Sequence, residues 1–452
     1  MKTKSFDVEL NKKIKNFKKT INVDSDKSLS IRSFLLGSIS HNISELDNVL
    51  ESEDVGSTIN CLKNLGIKIN KISEGKYNVF GKGLGSFTAK KNTILNFGNS
   101  GTLARLLIGI LSTTPNIKVK LTGDESLKKR NMAEVIQIMR AFGADFKPKK
   151  KSNLPIEIKS SDMPIAISYK ANVSAQLKSA AILAGLNSFG NTEITEDLKL
   201  QSRDHTENLL LNNSNSIQIK TDKTKKIIVK GQSYLKNFSF KIPGDPSSAA
   251  FFAALTLLTK NSSLRIKNVG LNPKRIGFYK ILKKSGARIS FKNKKKLQGE
   301  ITGDIIIKSS NIKPLKVNKN FYVSATDEYP IMFVIAALTK GISCFKGIEG
   351  LKNKESDRVK EMQKILKAVG IKSIYKNKEL KIFGKEYNRS VNKKIFIPNL
   401  KDHRICMSSA ILALLTGNNI YIKNFETVNT SSPSFLKIIK KLNGNFKVKT
   451  KR

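Results

Sequence analysis

Residues 98–111 read GNSGTLARLLIGIL: a short polar cluster, then an apolar run at helical spacing. The design recurs as SDKSLSIRSFLLGSI (25–39), NVSAQLKSAAILAGL (172–186), GDPSSAAFFAALTLL (244–258), TDEYPIMFVIAALT (326–339) and KDHRICMSSAILALLTG (401–417). The copies stand roughly 70–80 residues apart, longer than solenoid repeats. Each has Ser, Asp, Asn or Gly near its start, the set that caps helix N-termini, and continues with Ala, Leu and Ile. The runs are apolar all round, which predicts helices buried on every side.

A second helix recurs between these copies. It ends in Gly and runs into a strand: INCLKNLGIKI (59–69), MAEVIQIMRAFGADF (132–146), IGFYKILKKSGARISF (276–291), VKEMQKILKAVGIKSI (359–374) and FLKIIKKLNGNFKV (435–448), with a shorter copy, DHTENLLLNN (204–213). Gly after a helix is the expected C′ residue. Strand-like segments rich in β-branched residues flank the helices, among them IKVKLTG, PIEIKSS, KIIVKG, FSFKIPG, SLRIKNVG, DIIIKSS and IYIKNF, several alternating with Lys as half-buried strands do. The inferred unit is strand–helix–strand–helix–strand–strand, six times over. The seam between two halves of three units falls at KIPGDPSS (241–248), where Pro and Gly punctuate the chain. A cleft between two similar halves is a common place for a ligand.

Composition bounds the function. The chain has 452 residues, 39% hydrophobic and 26% charged, ample for buried cores and for two to three domains at about 150 residues each. Its three cysteines, Cys61, Cys344 and Cys406, are too few and scattered for a disulfide framework or a Cys-based zinc site. The opening MKTKSFDVELNKK lacks the apolar stretch of a signal peptide. No apolar run approaches the roughly 18 residues of a membrane span. A cytoplasmic protein without membrane contact is expected. The net charge of +47 invites a nucleic-acid reading. Yet the lysines are spread evenly, and Lys, Asn and Ile abound together, as compositional bias produces. Only 12 of the 82 basic residues are Arg, and half of those (Arg32, Arg105, Arg130, Arg203, Arg358, Arg404) sit inside compact polar motifs. An Arg kept where Lys is the common cation points to bidentate recognition of carboxylate or phosphate.

The motifs cluster at the helix N-termini, where free N–H groups and the positive dipole end suit anions. Asp26-Lys27-Ser28 precedes Arg32; Gly101 and Arg105 follow Asn99; GDESLKKR (123–130) ends in Arg130; Ser174-Ala175-Gln176 opens the third copy. SRDHTE (202–207) carries Arg203 and His205, TDEYP (326–330) carries Asp327 and Glu328, KNKESDR (352–358) carries Lys354, Glu355 and Arg358, and KDHR (401–404) carries Asp402, His403 and Arg404. Singly, each also reads as a cap, a turn or solvated charge. His205 by itself reads as structural.

In this order and spacing, DKSLSIR, GNSGT, GDESLKKR, SAQLKSA, SRDHTE, GDPSSAAFF, TDEYP, KESDR and DHR make the chain resemble the 5-enolpyruvylshikimate-3-phosphate synthase (3-phosphoshikimate 1-carboxyvinyltransferase) family, with wording like its class II branch. The resemblance implies an α/β (α+β) fold: a two-domain inside-out α/β barrel of six βαβαββ repeats, helices inside and strands outside. It implies a first domain over 26–243 and a second over 1–25 with 244–452. It implies transfer of the enolpyruvyl group of phosphoenolpyruvate to the 5-hydroxyl of shikimate 3-phosphate, releasing phosphate, by addition and elimination through a tetrahedral intermediate. No cofactor or metal is implied, and the family expectation is a monomer.

By motif, the resemblance assigns Lys27, Ser28, Arg32, Ser174, Ala175, Gln176, Arg203, Asp327 and Lys354 to shikimate 3-phosphate. It assigns Lys27, Gly101, Arg130, Gln176, Arg358 and Arg404 to phosphoenolpyruvate. Asp327 takes the hydroxyl proton, and Glu355, assisted by Lys27, is the acid/base at the methylene carbon. A cleft this cationic opposes protonation of a carboxylate, so the acid role needs burial or proton sharing. Gly101 implies sensitivity to glyphosate. The chain departs from the family at Val23-Asp24-Ser25, where Pro and often Gly are usual, and at Ile31, commonly His. NTSSPSF (429–435) lacks a phosphoenolpyruvate-binding Lys found in another branch, so no such contact is expected.

Three alternatives compete. The related UDP-N-acetylglucosamine enolpyruvyl transferase typically uses a Cys on a loop where this chain has none, residues 62–343 being free of Cys. A basic nucleic-acid-binding repeat protein explains the charge but not the acidic residues or the placed arginines. An inactive scaffold is opposed by retention of all the motif residues.

Overall fold

The computed structural model describes residues 5–386 and 393–450. Residues 1–4, which belong to the segment assigned with the second half, lie outside the described residues. The described residues divide into two compact units, one within 25–242 with 296–300 and the other within 1–24, 243–295 and 301–452.

The helices of the first unit, in chain order, are α1 (Lys27–Ile39), α2 (Glu53–Asn64), α3 (Gly101–Thr113), α4 (Ala133–Ala141), α5 (Ala175–Gly185) and α6 (His205–Asn213). Those of the second are α7 (Pro246–Leu258), α8 (Gly277–Lys284), α9 (Tyr322–Ala325), α10 (Tyr329–Ala337), α11 (Arg358–Ala368), α12 (His403–Thr416) and α13 (Phe435–Lys441). The motif-bearing helices are the buried ones, and every residue of α10 and α12 is buried. They pack on one another, α3 against α5, and α12 against α7 and α10. At the first of these contacts a Cβ on Gly109 would lie 2.5 Å from the Ala180 carbonyl oxygen, so the backbones touch only because residue 109 has no side chain. The second helices are amphipathic. α11 buries Val359, Met362, Ile365 and Leu366 at helical spacing and leaves its lysines outside.

Polar residues stop and start these helices as the sequence predicts. Asp26, Ser100, Ser174, Asp245 and Asp402 accept a backbone N–H at the starts of α1, α3, α5, α7 and α12. Gly143 (φ 95°) follows α4 in the left-handed conformation. After α13 that position falls to Asn443 (φ 65°), not to Gly444 as the sequence pattern predicts. Asn tolerates the conformation because its short polar side chain bonds locally.

Among the described residues the strands form six four-stranded sheets. In the second repeat, Lys118–Thr122 runs parallel to Ile94–Asn96 and antiparallel to Asn153–Lys159, which carries Asp145–Lys150 on its far side. The other sheets repeat this order, but three are not contiguous in sequence. The first repeat takes its leading strand from Ser239–Lys241, parallel to His41–Asp47. The fourth takes its leading strand from Lys18–Ile21, parallel to Ser263–Gly270. In the sixth, the N-terminal strand Phe6–Leu10 lies antiparallel between Ile420–Ile422 and Lys447–Thr450.

The chain leaves one unit for the other beside Asp24 and Pro243. There Asp245 N donates to the Asp24 carbonyl at 2.8 Å, and Ser432 Oγ and Ser434 N donate to the Asp24 carboxylate. Burial pushes the Asp24 carboxyl above its ordinary range despite those hydrogen bonds. The NTSSPSF segment thus braces the chain at Asp24.

Candidate anion and acid/base site

Asp26 caps α1, so Lys27 stands as its first residue. Lys27 Nζ lies 2.9 Å from Asp54 Oδ2, with the side chains 18% and 5% exposed. Asp54 sits in the first turn of α2 behind the Ser52 cap. Arg32 is buried one turn along α1. Its Nε donates to Thr206 Oγ1 at 2.9 Å, Nη2 to Ser179 Oγ at 3.2 Å and Nη1 to the Ser28 carbonyl at 3.1 Å. Arg32 thereby ties α1 to α5 and α6.

Two guanidinium groups close over the start of α3. A Cβ on Gly101 would lie 2.7 Å from Arg130 Nη1 and 3.0 Å from Arg105 Nη1. Arg105 Nη1 donates to Gln176 Oε1 at 3.0 Å, and Gln176 Nε2 donates to Thr102 Oγ1 at 3.0 Å. Arg130 Nη2 donates to Asn99 Oδ1 at 3.2 Å, and Asn99 is held by Asp124. Gly101, Arg130 and Gln176 are therefore brought together, with Arg105 as a further member. Two cations beside a helix N-terminus make a place for an anion.

Behind Ser174, Ala175 and Gln176 lies a buried cluster of four charges. Lys178 Nζ is 2.7 Å from Glu207 Oε1 and 3.0 Å from Glu196 Oε1, and Lys225 reaches the same two carboxylates at 3.3 and 3.4 Å. Burial alone raises the Glu196 carboxyl, but Lys178 and Lys225 outweigh it and hold Glu196 below its ordinary range. Ser202 N and Oγ both donate to Glu196. The cluster thus fixes the residue just before Arg203. His205 is buried, with Nδ1 2.8 Å from Glu300 Oε1.

In the other unit Arg358 is 1% exposed among carboxylates. Its Nε lies 2.9 Å from Asp402 Oδ2, its Nη2 2.6 Å from Glu355 Oε2, and its Nη1 3.9 Å from Asp327 Oδ1. Burial pulls the guanidinium pKa down, but Asp402, Glu355 and Asp327 reverse this and raise it. Asp327 stands in the turn between α9 and α10, and its Oδ2 is 4.0 Å from Arg275 Nη1. Glu328 makes no cap bond on α10; its carboxylate accepts from Ser247 Oγ instead. Lys354 closes the short helical turn Glu349–Asn353, just before Glu355.

Arg404 is buried at the start of α12. It is 6% exposed, and its Nε and Nη1 are buried without a hydrogen-bond partner among the described residues. Buried guanidinium donors without partners are costly to leave unmade, so these two nitrogens can take a further acceptor.

Sequence reading passed over Asp54, Arg275 and Asp402 as site residues. Asp402 was visible within KDHR, and Arg275 as an Arg kept among lysines in NPKRIG; Asp54 carried no local signal. Among the described residues, no His, Cys, Asp or Glu group is arranged to hold a metal ion. No helix there is long and apolar enough to cross a membrane.

Residues 11–439 match the family model of EPSP synthase (3-phosphoshikimate 1-carboxyvinyltransferase). The chain is 38% identical to the 3-phosphoshikimate 1-carboxyvinyltransferase of Petrotoga mobilis, over 94% of this chain and 97% of that one. It is 37% identical to the Aquifex aeolicus protein of the same name, over 95% and 98%. The solved EPSP synthase of Acinetobacter baumannii superposes with a TM-score of 0.85 at 32% identity, covering 99% of this chain and 100% of that one. The enolpyruvyl transferase NikO of Streptomyces tendae superposes with a TM-score of 0.76 at 11% identity over the whole of both chains, a likeness of fold alone.

Proposed function

The chain belongs to the EPSP synthase (3-phosphoshikimate 1-carboxyvinyltransferase) family, and on that premise we propose how its residues divide the reaction. The enzyme transfers the enolpyruvyl group of phosphoenolpyruvate to shikimate 3-phosphate in the shikimate pathway, releasing phosphate. Its substrates each carry a phosphate and a carboxylate, which accounts for the arginines placed at helix starts.

The observation that carries the assignment of phosphoenolpyruvate is Arg404, a buried guanidinium with unpartnered donors. Arg358 and Arg130 join it in holding that substrate, with Gly101 allowing close backbone approach and Gln176 beside it. Ser28, Arg32, Ser174, Ala175, Gln176, Arg203 and Lys354 hold shikimate 3-phosphate, and Lys27 serves both. Arg32, committed to Thr206 and Ser179, contributes by fixing α1 and α6 as much as by contact.

Asp327 accepts the proton of the 5-hydroxyl as its oxygen attacks C2 of phosphoenolpyruvate, forming the tetrahedral intermediate. Glu355 delivers a proton to the methylene carbon, and Lys27 assists. Glu355 is paired with Arg358 at 2.6 Å. The anions of phosphoenolpyruvate compete for Arg358, which eases that pairing and lets Glu355 hold a proton. In elimination a proton leaves the methyl carbon, the C–O bond to phosphate breaks, and the enol double bond is restored.

Two of the three cysteines lend little support to rival chemistry through a thiolate. Cys61 is buried in α2 with its thiol pushed up to about 12, and Cys406 is buried in α12 and also raised. A thiol held protonated is a poor nucleophile. A cytoplasmic monomer completes the proposal.

The deciding experiment measures phosphate release from the two substrates, together and separately, with a chelator present. Release that needs both and ignores the chelator supports the proposal. Folded protein that releases none overturns it, and the acceptor sugar nucleotide, then nucleic acid, is tried next.

A further inference from the structure

Arg275 has no part in the assignments above, yet it is one of the most buried cations of its unit. It stands in the loop between the strand Ser263–Gly270 and α8, with its side chain 3% exposed. Nη2 donates to Asp245 Oδ1 at 2.9 Å and to Ser247 Oγ at 3.1 Å. Nη1 lies 4.0 Å from Asp327 Oδ2. Ser247 in turn donates to Glu328, the residue after Asp327. Tyr279 Oη donates to the Pro246 carbonyl at 2.7 Å and closes the same loop from α8.

Two features separate this from simple charge burial. Asp245 already offsets the guanidinium charge through Nη2, yet the other arm also lies near a carboxylate, that of Asp327. That approach is too long for a hydrogen bond, so this arm acts on the carboxylate through its field. Arg358 takes the matching stance on the opposite oxygen at 3.9 Å. Further charged or titratable neighbours include the Tyr322 phenol from α9, raised by burial and by the Asp327 charge, and the carboxylates Glu355 and Asp402, which Arg358 engages.

We propose that Arg275 is a positioning residue for Asp327. It favours the ionised, proton-accepting carboxylate by its charge. Through Asp245, Ser247 and Glu328 it also fixes the turn on which Asp327 stands. This rests on Asp327 being the acceptor of the hydroxyl proton.

The test reads kcat against pH at saturating substrates, by phosphate release, for Arg275→Gln, Arg275→Lys and Asp245→Asn. Gln keeps a donor for Asp245 and Ser247 but removes the charge beside Asp327. Its acid limb moves up by about one pH unit and kcat falls about tenfold or more, with both KM values within about threefold. Lys, which keeps the charge without the fork, recovers most of the limb position but not all of kcat. Asp245→Asn retains a cap for α7 and leaves the Arg275 charge less compensated, so its acid limb moves down. A structural role alone would lower thermal stability and leave the limbs in place, which overturns the proposal. Should Arg275→Gln not fold, Asp245→Asn decides alone, a downward limb upholding and an unmoved limb refuting. Asp327→Asn separates the premise: full activity there removes the acceptor role itself, whereas an inactive Asp327→Asn beside an unaltered Arg275→Gln refutes only the part played by Arg275.

Discussion

Lys27 Nζ is paired with Asp54 Oδ2 at 2.9 Å, while the other oxygen of Asp54 is buried without a hydrogen-bond partner among the described residues. The lysine is therefore what makes the buried carboxylate tolerable. Lys27→Met is expected to destabilise the protein by about 2 kcal/mol in urea unfolding, less than for a fully buried pair because Lys27 keeps some solvent contact. Adding Asp54→Asn should return part of that stability and none of the activity. If the double variant is as unstable as Lys27→Met, the pair is not what holds this helix start.

A methyl group at position 101 meets Arg130 Nη1 and Arg105 Nη1, the mobile ends of long side chains. Gly101→Ala should thus fold with a loss under about 1 kcal/mol, since the guanidiniums can shift. On the proposed placement of phosphoenolpyruvate the shift moves them off its anion, so its KM is expected to rise about tenfold, with KM for shikimate 3-phosphate nearly unchanged. Glyphosate should inhibit the parent and inhibit Gly101→Ala less. Steady-state rates in both proteins check this, and a parent indifferent to glyphosate refutes its second half.

Arg404 and Arg358 are both buried, but they should respond oppositely to removal. Arg358→Ala strands Asp402 and Glu355 and is expected to cost about 3–5 kcal/mol. Arg404→Leu removes a cation with unpartnered donors, so thermal stability should hold or rise while activity collapses, a trade between stability and function. Calorimetry of the two variants tests the contrast. A large loss of stability in Arg404→Leu would mean that its charge is compensated within the chain.

Glu9 lies between Lys394 and Lys449, at 2.7 and 2.9 Å, and their hydrogen bonds lower its carboxyl to about 2 against the opposing effect of burial. Its folded pKa is depressed, so its contribution is present above the unfolded value of about 4.3 and is lost as pH falls through about 2. Unfolding followed from neutral pH to pH 2 should show less acid destabilisation in Glu9→Gln than in the parent. High salt should shrink the difference, because both lysines reach solvent. Parallel pH profiles for the two proteins would show that the N-terminal strand does not depend on this contact.

Local chemistry was readable in the sequence where it acts within a few residues. The caps at Asp26, Ser100, Ser174, Asp245 and Asp402 follow from short side chains reaching nearby backbone. The buried helices follow from apolar composition, and the motifs supplied most of the residues proposed above for the two substrates. What could not be read depends on partners far along the chain. A three-residue strand such as Ser239–Lys241 does not announce that it pairs with Glu45–Asp47, because ladder bonds are made by backbone common to all residues. The same holds for Asp54, whose meaning comes from Lys27, and for Glu328, which stands at the cap position of α10 but whose carboxylate serves Ser247.

The borrowed strands also impose a timetable on the newborn chain. Residues 25–242 bring all the strands of their three sheets, so they can mature while later residues are still being added by the ribosome. The earliest segment has no such freedom. Val8 must wait for Ile422 and Val448 before its ladder can form, a closure of very high sequence separation. Through most of synthesis this first strand is thus an unclaimed edge, the kind that invites wrong partners. Asp7 and Glu9, set within it, place charge on that edge during the interval.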